Sequence, residues 1–457
     1  MKTDCLQPEL TFQGLDSRKV CAQFNGGAMT SDAGGLLLRE AALHTNILSD
    51  FAACFTDGRD QRYVRHDLLP LISQRVMAIA LGYEDINDHD DLRNDPLMAL
   101  VAGRPGMDIA AGKSTIQRME NKPEEGDRYN KITYDSGSID RFLVDHFLSS
   151  KREAPKEITL DLDATDVPIY GDQQDKFYQG YYGHYCYLPL YITCDDFILC
   201  ARLRPSNIDA PSGWEDELPR IAGQIRKRWP DTRIVIRADS GFCRDALLAW
   251  CEANNISYVI GLAKNSRLKE LIKEELDQAK KAHGESGHAA RIFSEFEYRT
   301  RDSWSLARRV VAKAEHLAKG SNPRFVVTNL PDEEFPAAEL YEKIYCARGD
   351  MENRIKEHQA DMFADRMSAS VTKSNQLRLY LSTVAYMLIT TIRREALRGT
   401  ALEMAQAGTI RLKLLKIGAR ITISVRRISL SMSSGYPLQE LFALALARLQ
   451  NMRPAPA

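Results

Sequence analysis

The sequence predicts a mixed α/β fold class, in which a sheet of antiparallel and parallel strands lies between a helical N-terminal region and a basic, helical C-terminal segment. Residues 158–165 alternate apolar and polar side chains, and strand-like runs follow at 185–193 and 197–203. The next strands, 233–239 and 256–263, are joined by a helical pattern. Antiparallel strands followed by helix-linked strands indicate a mixed sheet.

The first 150 residues predict a helical N-terminal domain. Apolar residues recur at three-to-four spacing in 34–43 and 68–81, as in amphipathic helices. A short helix is expected over 115–121, with Ser114 as its N-cap. Gln117 and Arg118 would lie near the exposed start of this helix, which is equally typical of a plain surface helix.

Four further segments follow the N-terminal domain. Residues 151–264 form the first part of the sheet core, and residues 265–335 form a β-rich insertion. Residues 336–400 complete the core, and residues 401–457 form the basic C-terminal segment. The helical patterns in these segments cover 214–229, 244–254, 266–283, 336–363, 374–397 and 438–452, and further strand patterns cover 291–300, 305–313, 324–329 and 420–431.

The composition is that of an ordinary globular protein. The chain has 457 residues, 44% of them hydrophobic, and a formal net charge of −1, which excludes disordered, collagen-like and coiled-coil classes. Its 9 cysteines include no C-x-x-C pair, so neither a disulfide framework nor a tetrahedral zinc site is indicated. No apolar stretch reaches the roughly 20 residues that a spanning helix requires, and the N-terminus lacks signal-peptide features. We therefore expect a cytoplasmic protein with no membrane partner.

The small net charge hides an uneven distribution. Residues 371–457 contain 13 Lys and Arg against 3 Asp and Glu, whereas residues 1–150 carry a net charge of −7. A basic segment of this kind attracts a polyanion such as DNA, because neutralised phosphates release their counterions. Removal of residues from about 400 onward is therefore expected to weaken DNA binding. Alternatively, these cations cover a helical surface or pair with acidic neighbours.

Three separate elements carry the candidate catalytic carboxylates. Alternation along 158–165 places Asp161 and Asp163 on one face of a strand. Asp239 ends a second strand just before a helix, where ligand sites gather in α/β sheets. Tyr345, Arg348, Glu352, Lys356 and Gln359 follow at separations of three or four and line one helix face, which alone would also suit a ladder of surface ion pairs.

Together, these residues resemble a known family. Leu162-Asp163-Ala164-Thr165, Arg237-Ala238-Asp239-Ser240-Gly241-Phe242 and Tyr345-x-x-Arg348-x-x-x-Glu352 resemble the three acidic motifs of prokaryotic insertion-sequence transposases of the DDE type. The chain looks most like the "IS four" superfamily and its "thirteen-eighty" branch. The N-terminal signatures of that branch are matched at 30–36, 82–88 and 92–95. The resemblance spans residues 25–450 approximately.

The resemblance implies an RNase H-like core and a DNA transposase. Asp163, Asp239 and Glu352 would hold two Mg²⁺ ions, with Mn²⁺ as a substitute, for cleavage and strand transfer at the terminal inverted repeats. Tyr345, Arg348 and Lys356 would contact DNA phosphates, and Gln117 and Arg118 are further candidates for DNA contacts. The implied partner is double-stranded DNA, bound by a homodimer in the prokaryotic nucleoid.

Several alternatives stay open at this stage. The superfamily commonly carries Lys seven residues after its Glu, where this chain has Gln359, so the phosphate-clamping residue is unassigned. Asp161 or Asp166 could replace Asp163 as the first carboxylate. A catalytically idle DNA-binding repressor derived from a transposase, and a host nuclease with the same core, are the alternative functions.

Overall fold

The chain forms two compact units. A computed structural model describes residues 9–122 and 128–452. Unit 1 contains residues 9–121, 128–133 and 384–452, and unit 2 contains residues 122 and 134–383. This division differs from the five predicted segments, because most of 1–150 shares a unit with 401–457, while 151–264 and 265–335 share the other.

The strands are numbered in chain order. They are β1 (Leu10–Leu15), β2 (Arg18–Ala22), β3 (Met29–Thr30), β4 (Phe55–Asp57), β5 (Ile132–Tyr134), β6 (Glu157–Ala164), β7 (Val167–Pro168), β8 (Phe177–Gln179), β9 (His184–Tyr187), β10 (Leu190–Cys194), β11 (Phe197–Arg202), β12 (Arg233–Ala238), β13 (Ser257–Leu262), β14 (Ala290–Tyr298), β15 (Arg308–Leu317), β16 (Gly320–Ser321), β17 (Arg324–Thr328), β18 (Ala419–Ile423) and β19 (Ile428–Met432).

The helices follow the same convention. They are α1 (Gly35–Thr45), α2 (Ile47–Ala52), α3 (Leu68–Leu81), α4 (His89–Leu92), α5 (Pro96–Val101), α6 (Lys113–Glu120), α7 (Ser136–Ser150), α8 (Trp214–Arg228), α9 (Asp245–Ala253), α10 (Ser266–Leu271), α11 (Lys273–Ser286), α12 (Ala337–Glu339), α13 (Gly349–Met362), α14 (Thr372–Thr391), α15 (Ala407–Ile410) and α16 (Gln439–Gln450). A π-helical turn (Leu340–Tyr345) and a 3₁₀ turn (Cys346–Arg348) join α12 to α13, close to the helix predicted over 336–363. No described helix combines the length and the apolar composition that crossing a bilayer requires.

Unit 2 is built on a mixed nine-stranded sheet, as the strand order predicts. Eight strands follow the order β11-β10-β6-β12-β13-β17-β15-β14, and β16 pairs with β15. β6, β12 and β13 run parallel to one another, and the other pairs are antiparallel.

The strands predicted as a separate β-rich insertion continue this sheet. β17 pairs with β13, with Val327 opposite Ile260, and β15 and β14 extend the sheet further. β17 lies inside the sheet because both of its faces are buried. Val326 packs in the apolar cluster on one face, and Val327 packs in the cluster on the other. A strand that is apolar on both faces requires cover on both.

Unit 1 combines the N-terminal helices with the C-terminal segment. β18 pairs with both β3 and β19, and the Ala33 and Gly34 amides donate to the carbonyls of Ile417 and Leu415 at 3.0 and 3.1 Å. A Cβ at Gly34 would overlap the Leu414 carbonyl oxygen, so this approach requires glycine. The glycine-containing signature at 30–36 thus has a structural role.

The other N-terminal signatures meet in the same unit. Thr30 Oγ1 donates to Asp95 Oδ2 at 2.6 Å, and Tyr83 Oη donates to Asp32 Oδ2 at 2.7 Å. The Lys416 ammonium lies 2.6 Å from Asp32 Oδ1 and over the Tyr83 ring. Asp32 is buried, so its pairing with Lys416 compensates a charge that would otherwise be costly.

The C-terminal segment is therefore part of a core as well as a source of positive charge. Leu414 and Leu415 are fully buried, and the Arg411 Nε–H donates to the Ala80 carbonyl at 2.9 Å. Arg426 and Arg427 are exposed in the turn between β18 and β19. Removal of residues from 400 onward would disrupt unit 1, so substitution of the two exposed arginines is the sharper test of polyanion binding.

A buried histidine predicts acid sensitivity of unit 1. The pKa of His89 is lowered to about 3, chiefly by burial and then by Arg75. Gln74 Nε2 donates to His89 Nδ1 at 2.9 Å while its Oε1 accepts from the Ala111 amide, so protonating Nδ1 would break a hydrogen bond. The folded-state pKa lies below the unfolded value of roughly 6.5. The stability that neutral His89 contributes is therefore complete above pH 6.5 and is lost towards pH 3.

The unfolding free energy is expected to fall by up to about 1.4 kcal/mol per pH unit within that window. Denaturant titrations of the parent and His89→Gln from pH 7 to pH 4 measure this slope, since glutamine can accept the same hydrogen bond. Equal slopes in the two proteins would contradict the prediction.

Candidate active site and nucleic-acid interface

Two carboxylates lie at the same end of neighbouring parallel strands. Leu162 of β6 pairs with Ala238 of β12, so the next residues, Asp163 and Asp239, are neighbours. Asp239 Oδ1 accepts from the Gly241 amide at 2.8 Å and caps a 3₁₀ turn. This is the carboxyl end of the parallel strands, where ligand sites gather in α/β sheets.

The third carboxylate comes from the helical segment that packs on one face of the sheet, over β12 and β13. Leu340 and Tyr341 pack against Val235 of β12 and Val259 of β13. The segment then continues through its π and 3₁₀ turns into α13, which carries Glu352. Packing of apolar residues on the central strands thus directs Glu352 towards the two aspartates.

Arg348 lies between the first and third carboxylates. Its Nη1 is 3.5 Å from Asp163 Oδ2, and its Nη2 donates to Glu352 Oε1. Nη1 is buried and has no hydrogen-bond partner among the residues that the structure describes. An unused guanidinium donor beside the carboxylates suits an anionic ligand such as a phosphate.

Asp163 is affected electrostatically by the other two carboxylates. The pKa of Asp163 is raised to about 6, chiefly by burial; Arg348 opposes the rise, and Asp239 and Glu352 add to it. Within residues 9–122 and 128–452, no group of three His, Cys, Asp or Glu side chains is close enough to hold a metal ion as arranged. Asp239 lies next to Asp163, and Arg348 lies between Asp163 and Glu352.

The alternative first carboxylates have other partners. Asp161 is 5% exposed, and both of its oxygens bind Arg237, at 2.5 Å from Nε and 2.7 Å from Nη2. Asp166 Oδ2 lies 2.7 Å from His184 Nε2. These contacts favour Asp163 as the first carboxylate of the predicted set.

Arg237 also connects the sheet to the segment bearing Glu352. Its Nη1 donates to the Ile344 carbonyl at 2.5 Å, directly before Tyr345. Sequence reasoning quoted Arg237 only as part of the second acidic motif and missed this role.

Tyr345 lies close to Asp239 because one neighbouring strand carries a glycine. A Cβ at Gly261 of β13 would lie 2.6 Å from Tyr345 Oη and 2.9 Å from the Ser240 amide nitrogen. Burial raises the pKa of Tyr345, and Asp239 adds to the rise. Gly261 was also missed, since a single glycine in a strand does not reveal what approaches it.

The remaining predicted residues of α13 diverge. Lys356 is exposed and forms no ion pair with the described part of the chain, so the predicted ladder has only its Arg348–Glu352 rung. Gln359 Nε2 donates to the Asp166 carbonyl at 3.3 Å and thereby ties α13 to the segment after β6.

A basic cavity of about 560 Å³ lies in unit 1. Arg118 lines it, and Gln117 is exposed beside Arg118 on α6. Ser114 also lines the cavity, but it is inside α6 rather than at its N-cap. That prediction was wrong because Asp90 Oδ1, from a different element, accepts from the Lys113 amide at 3.1 Å. The lining consists of Arg59, Asp60, Tyr63, Val64, Arg65, His66, Asp90, Arg93, Gly112, Ser114, Thr115, Arg118, Arg128, Tyr129 and Lys131.

The positive charges in this cavity are only partly compensated. Arg59 binds Asp57, but Arg118 and Arg128 lie over the Tyr129 ring, at 5.9 and 4.7 Å from its centroid. The pKa of His66 is lowered, first by burial and then by surrounding arginines. A concentrated positive potential of this kind suits phosphates.

Comparisons with known proteins agree with the class of enzyme that the motifs predict. Residues 12–454 match the family model described as "Transposase DDE domain group 1". A similar solved structure is the cryo-EM structure of a piggyBac transposase synaptic complex with hairpin DNA, at 12% identity and a TM-score of 0.40, covering 94% of this chain and 83% of that chain. No curated protein matches this chain. Since the family model covers nearly the whole chain, the protein belongs to the DDE transposases of group 1 and is a DNA transposase.

Proposed function

We propose that this transposase binds the terminal inverted repeats of its own insertion sequence. It cleaves and joins DNA in an active site formed by Asp163, Asp239 and Glu352. The observation that carries the proposal is the convergence of two strand-end carboxylates with a helix-borne third, around Arg348. Purified protein, DNA carrying both element ends and Mg²⁺ should yield nicks at the element boundary and joined products. Nicks without joined products would indicate a nuclease instead.

The donor set fits divalent cations. DDE transposase domains generally use divalent metal ions, and carboxylate oxygens are the ligands that Mg²⁺ prefers. Burial of Asp163 beside Asp239 and Glu352 concentrates negative charge that a divalent cation would neutralise. Two bound Mg²⁺ ions, or Mn²⁺ in their place, would stabilise charge on the attacking and departing oxygens of phosphoryl transfer.

The neighbouring residues orient the DNA strand. Arg348 has an unused buried donor, Nη1, beside Asp163, and this donor is placed for a phosphate oxygen. Tyr345 presents its hydroxyl over Gly261, near Asp239. Lys356 is exposed on α13 and supplies a screened positive charge for a more distant phosphate.

The finer features of the protein follow from the sequence motifs. We infer membership of the "thirteen-eighty" branch of the "IS four" superfamily and an RNase H-like core, on the basis of the three acidic motifs and the mixed sheet. A homodimer that pairs two element ends on nucleoid DNA belongs to the same proposal. Sedimentation with and without end DNA tests the homodimer.

The unit 1 cavity is the proposed phosphate-binding surface for the element ends. Replacing Arg118 and Arg128 together with Gln is expected to weaken DNA binding at low salt and to lower the slope of log affinity against log salt by about two, at roughly 0.9 per lost phosphate contact. Titrations at several salt concentrations measure that slope.

Replacing Arg18 and Lys19 together with Gln is the matched control, because both side chains are exposed on β2 and neither lines the cavity. A second readout is the pKa of His66, which bound phosphate should raise by offsetting the surrounding arginines. An unchanged salt slope in the variant lacking Arg118 and Arg128 would refute the assignment.

A further inference from the structure

An aromatic surface follows the first carboxylate along the chain. β7 begins four residues after Asp163 and forms a three-stranded sheet of order β7-β9-β8. We call β8, β9 and the turn between them, Phe177–Tyr187, the tyrosine hairpin. Tyr178, Tyr181 and Tyr185 of this hairpin are 60%, 87% and 50% exposed. Large aromatic side chains exposed together indicate a binding surface.

The surface contains rings and glycines rather than aliphatic side chains. The aliphatic residues of the preceding segment, Val167 and Ile169, are both buried. Cβ atoms at Gly180 and Gly183 would meet no atom within 4 Å, so the turn is open. Exposed flat rings suit planar ligands such as nucleic-acid bases, which stack on them.

The rings are arranged in edge-to-face pairs. Tyr178 lies opposite Tyr185 across the strands, with their ring centroids 5.6 Å apart at 76°. Tyr181 and Tyr182 are 5.0 Å apart at 89°. Perpendicular rings leave ring faces for a further stacking partner. Lys176 Nζ lies 5.6 Å from the Tyr185 ring centroid and is paired with Asp172 Oδ1 at 2.9 Å.

The hairpin is held firmly by the rest of unit 2. Ser206 Oγ donates to the Phe177 carbonyl at 2.9 Å, and Gln179 Nε2 donates back to the Ser206 carbonyl at 2.9 Å. Tyr187 is fully buried, and its hydroxyl donates to the Gln174 carbonyl at 2.6 Å. The exposed rings therefore stand on a fixed base, which lowers the entropy lost on binding.

The hairpin also lies beside the carboxylates. His184 contacts Asp166, three residues after Asp163, and the Asp166 carbonyl accepts from Gln359 of α13. Tyr182 is near enough to Asp163 for that carboxylate to act on it electrostatically.

We propose that the tyrosine hairpin binds the unpaired bases of a DNA strand that is opened next to the carboxylate site. This rests on the proposed function for its ligand, since a strand cut at Asp163, Asp239 and Glu352 passes close to the hairpin. Bases stack on aromatic rings without regard to sequence, because every base has a flat π face. The hairpin acts in strand positioning, and the carboxylates carry out the chemistry.

The experiment measures binding without chemistry. Affinity for a DNA end with a three-nucleotide unpaired overhang is compared with affinity for the blunt duplex, in EDTA. Tyr181→Ala and Tyr185→Ala are each expected to weaken binding of the overhang DNA by about tenfold, with blunt-duplex binding changed less than about twofold. The Phe substitutions at both positions should keep parental binding, since they retain the ring.

Phe24→Ala serves as the control, because it removes an exposed aromatic outside the hairpin. Parental overhang binding by the Ala variants, or equal losses for both DNAs, would overturn the proposal. So would a parental dimer, observed without DNA, that the Ala variants break into monomers, because the hairpin would then be a protein contact. Without divalent cations no strand is cut, so failure of the carboxylate assignment is detected separately, by cleavage assays.

Discussion

Replacing Asp239 with Asn is expected to abolish DNA cleavage while leaving DNA binding and folding nearly unchanged. Asp239 Oδ1 accepts from the Gly241 amide, and the Asn side-chain oxygen can accept the same bond, so the 3₁₀ turn persists. The substitution removes one of the three candidate carboxylates, Asp163, Asp239 and Glu352. Loss of several kcal/mol of transition-state stabilisation corresponds to a rate reduction on the order of 10³ or more. The rate of nicking of end-sequence DNA, in Mg²⁺ and in Mn²⁺, measures this reduction.

The matched control is Asp216→Asn, which neutralises an exposed aspartate in the first turn of α8, in the same unit. That variant should cut at the parental rate. If Asp239→Asn also cuts at the parental rate, Asp239 is not part of the active site. Retained DNA binding together with lost cleavage would also show that the parent is not merely a binding protein.

Replacing Arg237 with Met is expected to cause the largest loss of stability. Arg237 and Asp161 are 8% and 5% exposed and form a two-bond ion pair between β12 and β6. Removing one partner of a buried pair leaves the other charge uncompensated, at a cost of about 3–5 kcal/mol. Denaturant unfolding followed by a probe in unit 2 measures the change.

The double variant Asp161→Leu/Arg237→Met separates charge from position. It should regain most of the lost stability, because no unpaired charge remains in the sheet. It should nevertheless cut slowly, since the Ile344 carbonyl has lost the Arg237 donor that holds the segment before Tyr345. The single variant Arg237→Lys should cut faster than Arg237→Met, because lysine keeps a positively charged donor. Parental cleavage by a stable double variant would show that Arg237 serves packing alone.

Patterns along the chain were sufficient for the central elements of the fold. Alternation along β6 separated Leu160 and Leu162, which are in the core, from Asp161 and Asp163 on the opposite face. The helix predicted over 336–363 is present, although with a π turn that periodicity alone does not reveal. Motif order was sufficient for the enzyme class, which the family model confirms.

Predictions about partners between distant elements were weaker. Ser114 was assigned as an N-cap from its local sequence, yet Asp90 accepts from the first helical amide. The sequence assigned the strands after residue 290 to an insertion but did not reveal that they pair with the central sheet through β17. The sequence left DNA binding and structural contacts as alternatives for the C-terminal cations, and Arg411 and Lys416 make contacts within unit 1.

By itself, the sequence determined which residue types recur with which period, and so the strands, the helices and the identity of the candidate carboxylates. Periodicity is a local property of the backbone, and each element follows from its own side chains. Only the tertiary structure decided that Arg237 pairs with Asp161 and that Arg348 lies between Asp163 and Glu352. It also decided that the rings of the tyrosine hairpin stay exposed. These outcomes depend on which charges and apolar faces meet after folding, and contacts between residues far apart in the sequence leave no period in the chain.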